Sequence, residues 1–256
     1  MNLSNRNFKN HANYFPSNNA LMRVLNTDSL TYIDSGFKSD TYNIIHIHDT
    51  DKIVINEVSE AIDFCENRLR KPCVWLDKSD LNDTLSDIFQ NLSLEEAGSS
   101  IMLELPTLSL VELNEVDKNI FQAKEKQDII DHAFVIANNW DPFDTEVLHH
   151  YNRNVEFILK QDKSILLNYS DGTSTVGVIE LFLDPENPKV AGIYNLSVFS
   201  DQRKNGIGTK LVEAALYFAK NMNVEQVVTQ ASEDSLGIFK KFKFNETGII
   251  LEFGKK

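Results

Sequence analysis

LSVFSDQRKNGIGTKLVEAALYFAK (Leu196–Lys220) sets a strand, a turn holding two glycines and an amphipathic helix in direct succession. Such an order gathers several backbone N–H groups at a helix N-terminus, where the first turn has no intrahelical acceptors and the helix dipole favours an anion. Gly206 and Gly208 keep a Cβ out of the way of a pyrophosphate, and Arg203, Lys204 and Lys210 add local positive charge. That local field matters more to a phosphate than the net charge of −13 over the 256 residues.

Other phosphate-binding turns can be tested on the same residues. A Gly-x-Gly-x-x-Gly run needs glycine where the chain has Leu211, and no Gly-Lys-Ser/Thr ending is present. Taken alone, the turn is explained equally well as a bare helix cap, so its surroundings decide. Upstream, SILLNY (164–169), a turn at Asp171-Gly172 and TVGVIELFL (175–183) read as a hairpin, and KVAGIYNLSVF (Lys189–Phe199) as a further strand. Downstream, the pattern predicts a helix from about Gly206 to Met222 and a strand over Gln226–Thr229. A helix over Ser235–Phe242 and a strand over Thr247–Phe253 follow.

Pro106 ends one pattern and another begins after it, with a strand at LSLVEL (Leu108–Leu113) and helices over Asn119–Asn138 and Thr145–Gln161. Before it the chain reads strand (Thr41–Asp49), helix (Glu57–Leu69), strand (Pro72–Asp77), helix (Leu81–Leu92, capped by Asp80), strand (Ser99–Leu105). Both halves are α/β with mixed layers, divided as 1–106 and 107–256.

Arg203-Lys204-Asn205-Gly206-Ile207-Gly208 resembles the acetyl-CoA signature Gln/Arg-x-x-Gly-x-Gly/Ala of the GNAT N-acetyltransferase superfamily. VGVIELFLD and AGIYNLSVF are similar to that family's third and fourth strands, and VVTQASEDSLGIFKKFKFNETG to its fifth strand, following loop and last helix. Residues 1–106 resemble the shortened first half of tandem GNAT proteins and have no such turn. The resemblance implies a tandem GNAT fold, with a mixed, mostly antiparallel sheet flanked by helices in a catalytic half at 107–256 and a degenerate GNAT-like half at 1–106.

It also implies a reaction. Acetyl-CoA as acyl donor lies along the fourth strand at Leu196 and Val198, its pyrophosphate on the amides of Lys204, Asn205, Gly206, Ile207, Gly208 and Thr209 beside Arg203. A primary amine attacks the thioester directly, with the Val198 N–H as oxyanion donor. For the base, two readings of Glu180 stand side by side: a carboxylate acting through water, or the polar member of a strand face turned to solvent. The family's acidic tyrosine falls at Phe239, which has no proton to give, and the commonly glycine position nearby is Lys243. Slow turnover, an acid elsewhere such as Tyr194, or a protein that binds CoA without catalysis are the alternatives. A tyrosine at 239, in a solvent-connected pocket, is expected to cost little stability.

Composition narrows the partners. Apolar residues make up 42%, enough for a sizeable core, and the charge is −7 over residues 1–106 and −6 over 107–256, so no basic face announces nucleic acid. No run of apolar residues has membrane-spanning length, and the opening MNLSNRNFKNHANYF has no signal-peptide core; the expected setting is the cytoplasm. Cys65 and Cys73 read as two thiols, not a disulfide framework. His46 and His48 share a strand face without a third ligand, so no metal is expected there, and His149-His150 reads as helix surface. The acceptor is a small-molecule or protein amine whose identity the sequence does not reveal.

Overall fold

A computed structural model describes residues 3–255, and by backbone proximity they fall into two units. One takes in the chain as far as Met102, with Ala231–Glu233 and the stretch from Glu246 onward. The other comprises Leu103–Gln230 and Asp234–Asn245.

The first unit has the strands β1 (Arg23–Asn26), β2 (Leu30–Asp34), β3 (Ile44–Ile47) and β4 (Cys73–Asp77), the last three each carrying β-branched or aromatic residues. β5 (Leu94–Leu105) and the chain's last strand, Asn245–Lys255, which we number β11, complete its sheet. The order is β1-β2-β3-β4-β11-β5; β1, β2 and β3 pair antiparallel in turn, β3 runs parallel to β4, and β4 pairs antiparallel with β11. Helices α2 (Ile55–Glu66) and α3 (Asp83–Asn91) lay Val58, Ile62, Leu85 and Phe89 on Ile45, Val74, Leu76 and Phe253 to form the core. The alternate residues of β3 and β4 meet α1 (Leu3–Ser17): His46 Nε2 lies 2.8 Å from Asn5 Oδ1, and Phe8 stacks on Trp75 at 4.1 Å.

The sequence pattern does not give α1, β1 or β2. LSNRNFKNHANYFPS is rich in asparagine, a poor helix former, and α1 holds because its Asn5 and Phe8 meet the sheet. The cap of α3 is Asn82, whose Oδ1 accepts from the Leu85 N–H at 2.9 Å, in place of Asp80.

The second unit begins differently from the expected pattern. Leu108–Leu110 is a single 3-10 turn, pinned by the Leu108 N–H to the Glu225 carbonyl at 2.8 Å, where a strand was expected. The expected helix over 119–138 divides into β6 (Ile120–Gln122), paired to a neighbouring strand, and α4 (Lys126–Ala137). The division has a local cause: Asp128 Oδ2 accepts from the Lys124 and Glu125 N–H groups at 2.9 and 3.0 Å and starts the helix there. Then come α5 (Thr145–Ile158), β7 (Ser164–Ser170), β8 (Thr175–Leu183), β9 (Val190–Val198), α6 (Ile207–Asn221), β10 (Gln226–Ala231) and α7 (Glu233–Lys241). The strand order is β10-β9-β8-β7-β6, antiparallel from β6 to β9 and parallel between β9 and β10.

The β7–β8 hairpin turns as its sequence predicts, with Gly172 at φ 100° and Asp171 Oδ1 accepting from the Thr173 and Ser174 N–H groups. Helices cover both faces of this sheet. A Cβ on Gly177 of β8 would lie 2.8 Å from Ile207 and 3.1 Å from Leu211 of α6, so that face is closed by close backbone packing. Residues of opposite parity look towards α4 and α5.

Candidate acetyl-CoA site

The site starts where two parallel strands part. β9 pairs with β10 from Val190 to Ile193, and the Thr229 hydroxyl then takes the Ile193 carbonyl at 2.7 Å. Past that point β9 continues against β8 alone. Val198 stands opposite Gly177, while the next N–H, that of Phe199, donates to the Val176 carbonyl at 3.1 Å. Val198 therefore sits in a non-hydrogen-bonded pair, with its own N–H and C=O directed away from β8. Leu196, two residues back, presents its backbone on the same edge. These are the two strand positions named from the sequence.

The chain then turns through Ser200–Gln202 into Arg203. Lys204 has φ 64° and Gly206, the cap of α6, has φ 80°, so the backbone bends twice through the left-handed region before the helix begins at Ile207. The amides of Ile207, Gly208 and Thr209 form the first turn of a helix of 15 residues. Gly206 is required by its φ, and a Cβ there would meet nothing within 4 Å. Gly208 has a different cause from the one expected: a Cβ there would press on Ile238 of α7 at 3.0 Å, so the residue makes room for a helix.

The cations are also arranged differently. Lys210 is spent on Asp117, at 2.8 Å. Arg203 donates from Nε to the Val198 carbonyl at 3.1 Å and from Nη2 to Asn139 Oδ1 at 2.9 Å, and Lys204 is exposed.

Glu180 is wholly buried, which overturns the solvent-face alternative. Its Oε1 accepts from Ser164 Oγ at 2.6 Å and its Oε2 from Asn195 Nδ2 at 2.8 Å. Asn195 Nδ2 also donates to Tyr151 Oη of α5 at 3.2 Å. On the same face, His132 of α4 lies 2.7 Å from Asn168 Oδ1, and Asn168 gives its amide to the Asp128 carbonyl. With that amide committed, His132 carries its proton on Nδ1. Burial pushes the His132 pKa down to about 4, against the opposing pull of the Asn168 bond and of Glu180. Ser164, Tyr151, His132 and Asn195 were not singled out from the sequence. The signal was there in part, since Glu180 interrupts an otherwise apolar strand and Ser164 opens the strand paired with it.

Phe239 is 1% exposed and packs edge-on against Phe244 at 5.3 Å, so its pocket is not the solvent-connected one expected. Tyr194 is buried too, and desolvation, with Asp184 and Glu180 adding to it, holds its pKa well above the usual value for tyrosine. Elsewhere, His150 is buried while His149 is exposed, so the surface reading holds for only one of the pair. Burial pushes the Cys65 and Cys73 thiols up to about 11 and 12. Among the described residues no three His, Cys, Asp or Glu side chains gather as a metal ion would need, and no helix is long and apolar enough to cross a membrane.

Residues 127–244, which hold α4 through α7, match the Acetyltransferase (GNAT) family. This stretch is a GNAT domain. The whole chain is similar in fold to a GCN5-related N-acetyltransferase from Kribbella flavida, at 10% identity and a TM-score of 0.69, covering 100% of this chain and 96% of that one. It is similar also to a functionally unknown conserved protein from Staphylococcus epidermidis (14% identity, TM-score 0.64, 90% and 92% covered). A tandem GNAT protein from the clavulanic acid biosynthesis pathway gives 10% identity and a TM-score of 0.60, with 92% and 83% covered. No curated protein matches the sequence. The GNAT domain thus contains the parted strands and the Gly206 turn, and the likenesses extend the GNAT-like fold into the first half.

Proposed function

We propose that this chain is an acetyl-CoA-dependent N-acetyltransferase acting on a primary amine, with residues 107–256 carrying the chemistry and residues 1–106 lacking a cofactor turn. The observation that carries the reading is the run of backbone from Leu196 to Thr209. An unpaired strand edge at Leu196 and Val198 leads directly into the amides of a helix N-terminus behind Gly206. An amide-bearing pantetheine pairs with the first and a pyrophosphate binds the second.

In this reading the neutral amine attacks the thioester carbonyl, the C–N bond forms, and the Val198 N–H faces the oxygen that becomes negative. Collapse breaks the C–S bond and expels the CoA thiolate. The amine's proton passes through water to Glu180, whose buried carboxylate stands beside the β9 edge. Neither Phe239 nor Tyr194 supplies the thiolate's proton readily, the first for want of a hydroxyl and the second because its phenol is held well above the usual range. That observation favours a second reading, in which the domain binds CoA and does not catalyse. The unbridged Cys65, buried, and Cys73, half-buried, suit the cytoplasm.

Incubation with acetyl-CoA and a panel of small amines and peptides, following thiol release and product mass together, tests the proposal. A product heavier by one acetyl group, formed with stoichiometric thiol, is expected. Acetyl-CoA binding with no product from any amine supports the second reading.

A further inference from the structure

Asn195 is the residue at which β9 changes step. Val178 pairs with Ser197 and Glu180 with Tyr194, so Asn195 and Leu196 together stand opposite the single residue Ile179. This is a β-bulge, and Asn195 takes it in the left-handed region at φ 55°, which asparagine tolerates better than most residues. The bulge lies two residues past Ile193, the last to pair with β10.

An extra residue inverts everything after it. Without the bulge Ser197 would stand opposite Gly177, the Val198 N–H would point into the β8 ladder, and the side chains that follow would change faces. The orientation of the Val198 amide is therefore decided at Asn195. The Asn195 side chain is held in turn: its amide donates to Glu180 on β8 and Tyr151 on α5, and Ser164 on β7 fixes the other oxygen of Glu180. All three partners are at least nine-tenths buried.

Resting on the reading that acetyl-CoA lies along Leu196–Val198, we propose that Glu180 and Asn195 form a positioning pair that locks the bulge and so sets which β9 amides face the thioester. This role is separate from any proton that Glu180 accepts. Glutamine at 180 retains an oxygen for the Asn195 amide and loses the basic carboxylate, whereas alanine removes both.

The test is calorimetric affinity for acetyl-CoA alongside kcat and Tm in Glu180→Gln, Glu180→Ala, Asn195→Val and Asn195→Asp. Valine resists the left-handed backbone, and aspartate sets a second carboxylate against Glu180. The expected result is a Kd within about threefold of wild type for Glu180→Gln and a rise of about tenfold or more for the others, since an amide displaced by an ångström costs heavily in alignment. Asn195→Asp keeps the test open if the valine variant does not fold. Folded variants whose acetyl-CoA affinity is unmoved while Tm falls would overturn the lock and leave the transferase reading standing. A wild-type protein that does not bind acetyl-CoA would sink both.

Discussion

Arg203 donates from Nε to the carbonyl of Val198 at 3.1 Å, tying the turn before α6 back onto the end of β9. Its Nη2 reaches Asn139 at the same time, so one guanidinium spans the strand, the turn and the segment after α4. Lysine carries its three donors on a single nitrogen and lacks the fork that reaches both acceptors at once. Both bonds are exposed and stand at the low end of the usual range of about 0.5–1.5 kcal/mol each. Arg203→Lys and Arg203→Ala should therefore raise the KM for acetyl-CoA by about 3- to 10-fold with little change in Tm. A KM unchanged in both variants would show that the tie does not shape the site.

Two glycines in one domain should respond oppositely to alanine. At Gly177 the new Cβ would meet Ile207 at 2.8 Å, and Ile207 is the first residue of α6. Gly177→Ala should lose about 1–3 kcal/mol and weaken acetyl-CoA binding, because relief requires α6 to move. At Gly237, inside α7, a Cβ meets nothing within 4 Å, and alanine should gain about 0.5–1 kcal/mol. Urea unfolding of the two variants reads both signs.

His132 gives a pH dependence. Its folded pKa of about 4 lies below the ordinary 6.5, so between those values the unfolded chain binds the extra proton and the folded chain does not. Stability is therefore full above about pH 6.5 and falls as the pH drops towards 4, by on the order of 3 kcal/mol from this group. His46, pushed down to about 3 by burial with His48 and Lys9 adding to it, contributes in the same direction. His132→Gln, which can still donate to Asn168, should flatten the slope of unfolding free energy between pH 6.5 and 4. An equal slope in the variant would refute the neutral, Nδ1-protonated imidazole.

Phe239→Tyr is no longer expected to be silent. The ring is 1% exposed against Phe244, so the added hydroxyl must be buried and should cost about 1–3 kcal/mol unless it finds a partner. If the helix lies where the family's tyrosine does, the same variant should turn over faster, by up to the general-acid range of about 100-fold. Tm and kcat measured on one preparation give both answers; a lower Tm with unchanged kcat would separate this position from the thiolate.

Much of the site was legible because its parts are local. The strand, the glycine turn and the helix of Leu196–Lys220 follow one another in sequence, and left-handed φ at Gly206 is a property of one residue. The hairpin at Asp171-Gly172 was readable for the same reason. What escaped depends on neighbours far along the chain. α1 has little helix propensity and holds through Asn5 and Phe8 on distant strands. The bulge at Asn195 shows only in the register with β8, and the burial of Glu180 only once α4 and α5 cover that face. Lys210 read as free positive charge beside the turn because nothing in the sequence sets Asp117 beside it.

The central claim is that the amides behind Gly206 hold the pyrophosphate of acetyl-CoA, and thermal unfolding with and without acetyl-CoA tests it most directly in wild type and Gly206→Trp. A Cβ at 206 meets nothing within 4 Å, so the substituted side chain starts in open space over the turn, at a backbone cost of about 1–2 kcal/mol from the positive φ. Acetyl-CoA at about 100 times its dissociation constant should stabilise the wild type by roughly 2.7 kcal/mol, and the folded variant should lose that shift. An equal shift in both proteins would contradict the account.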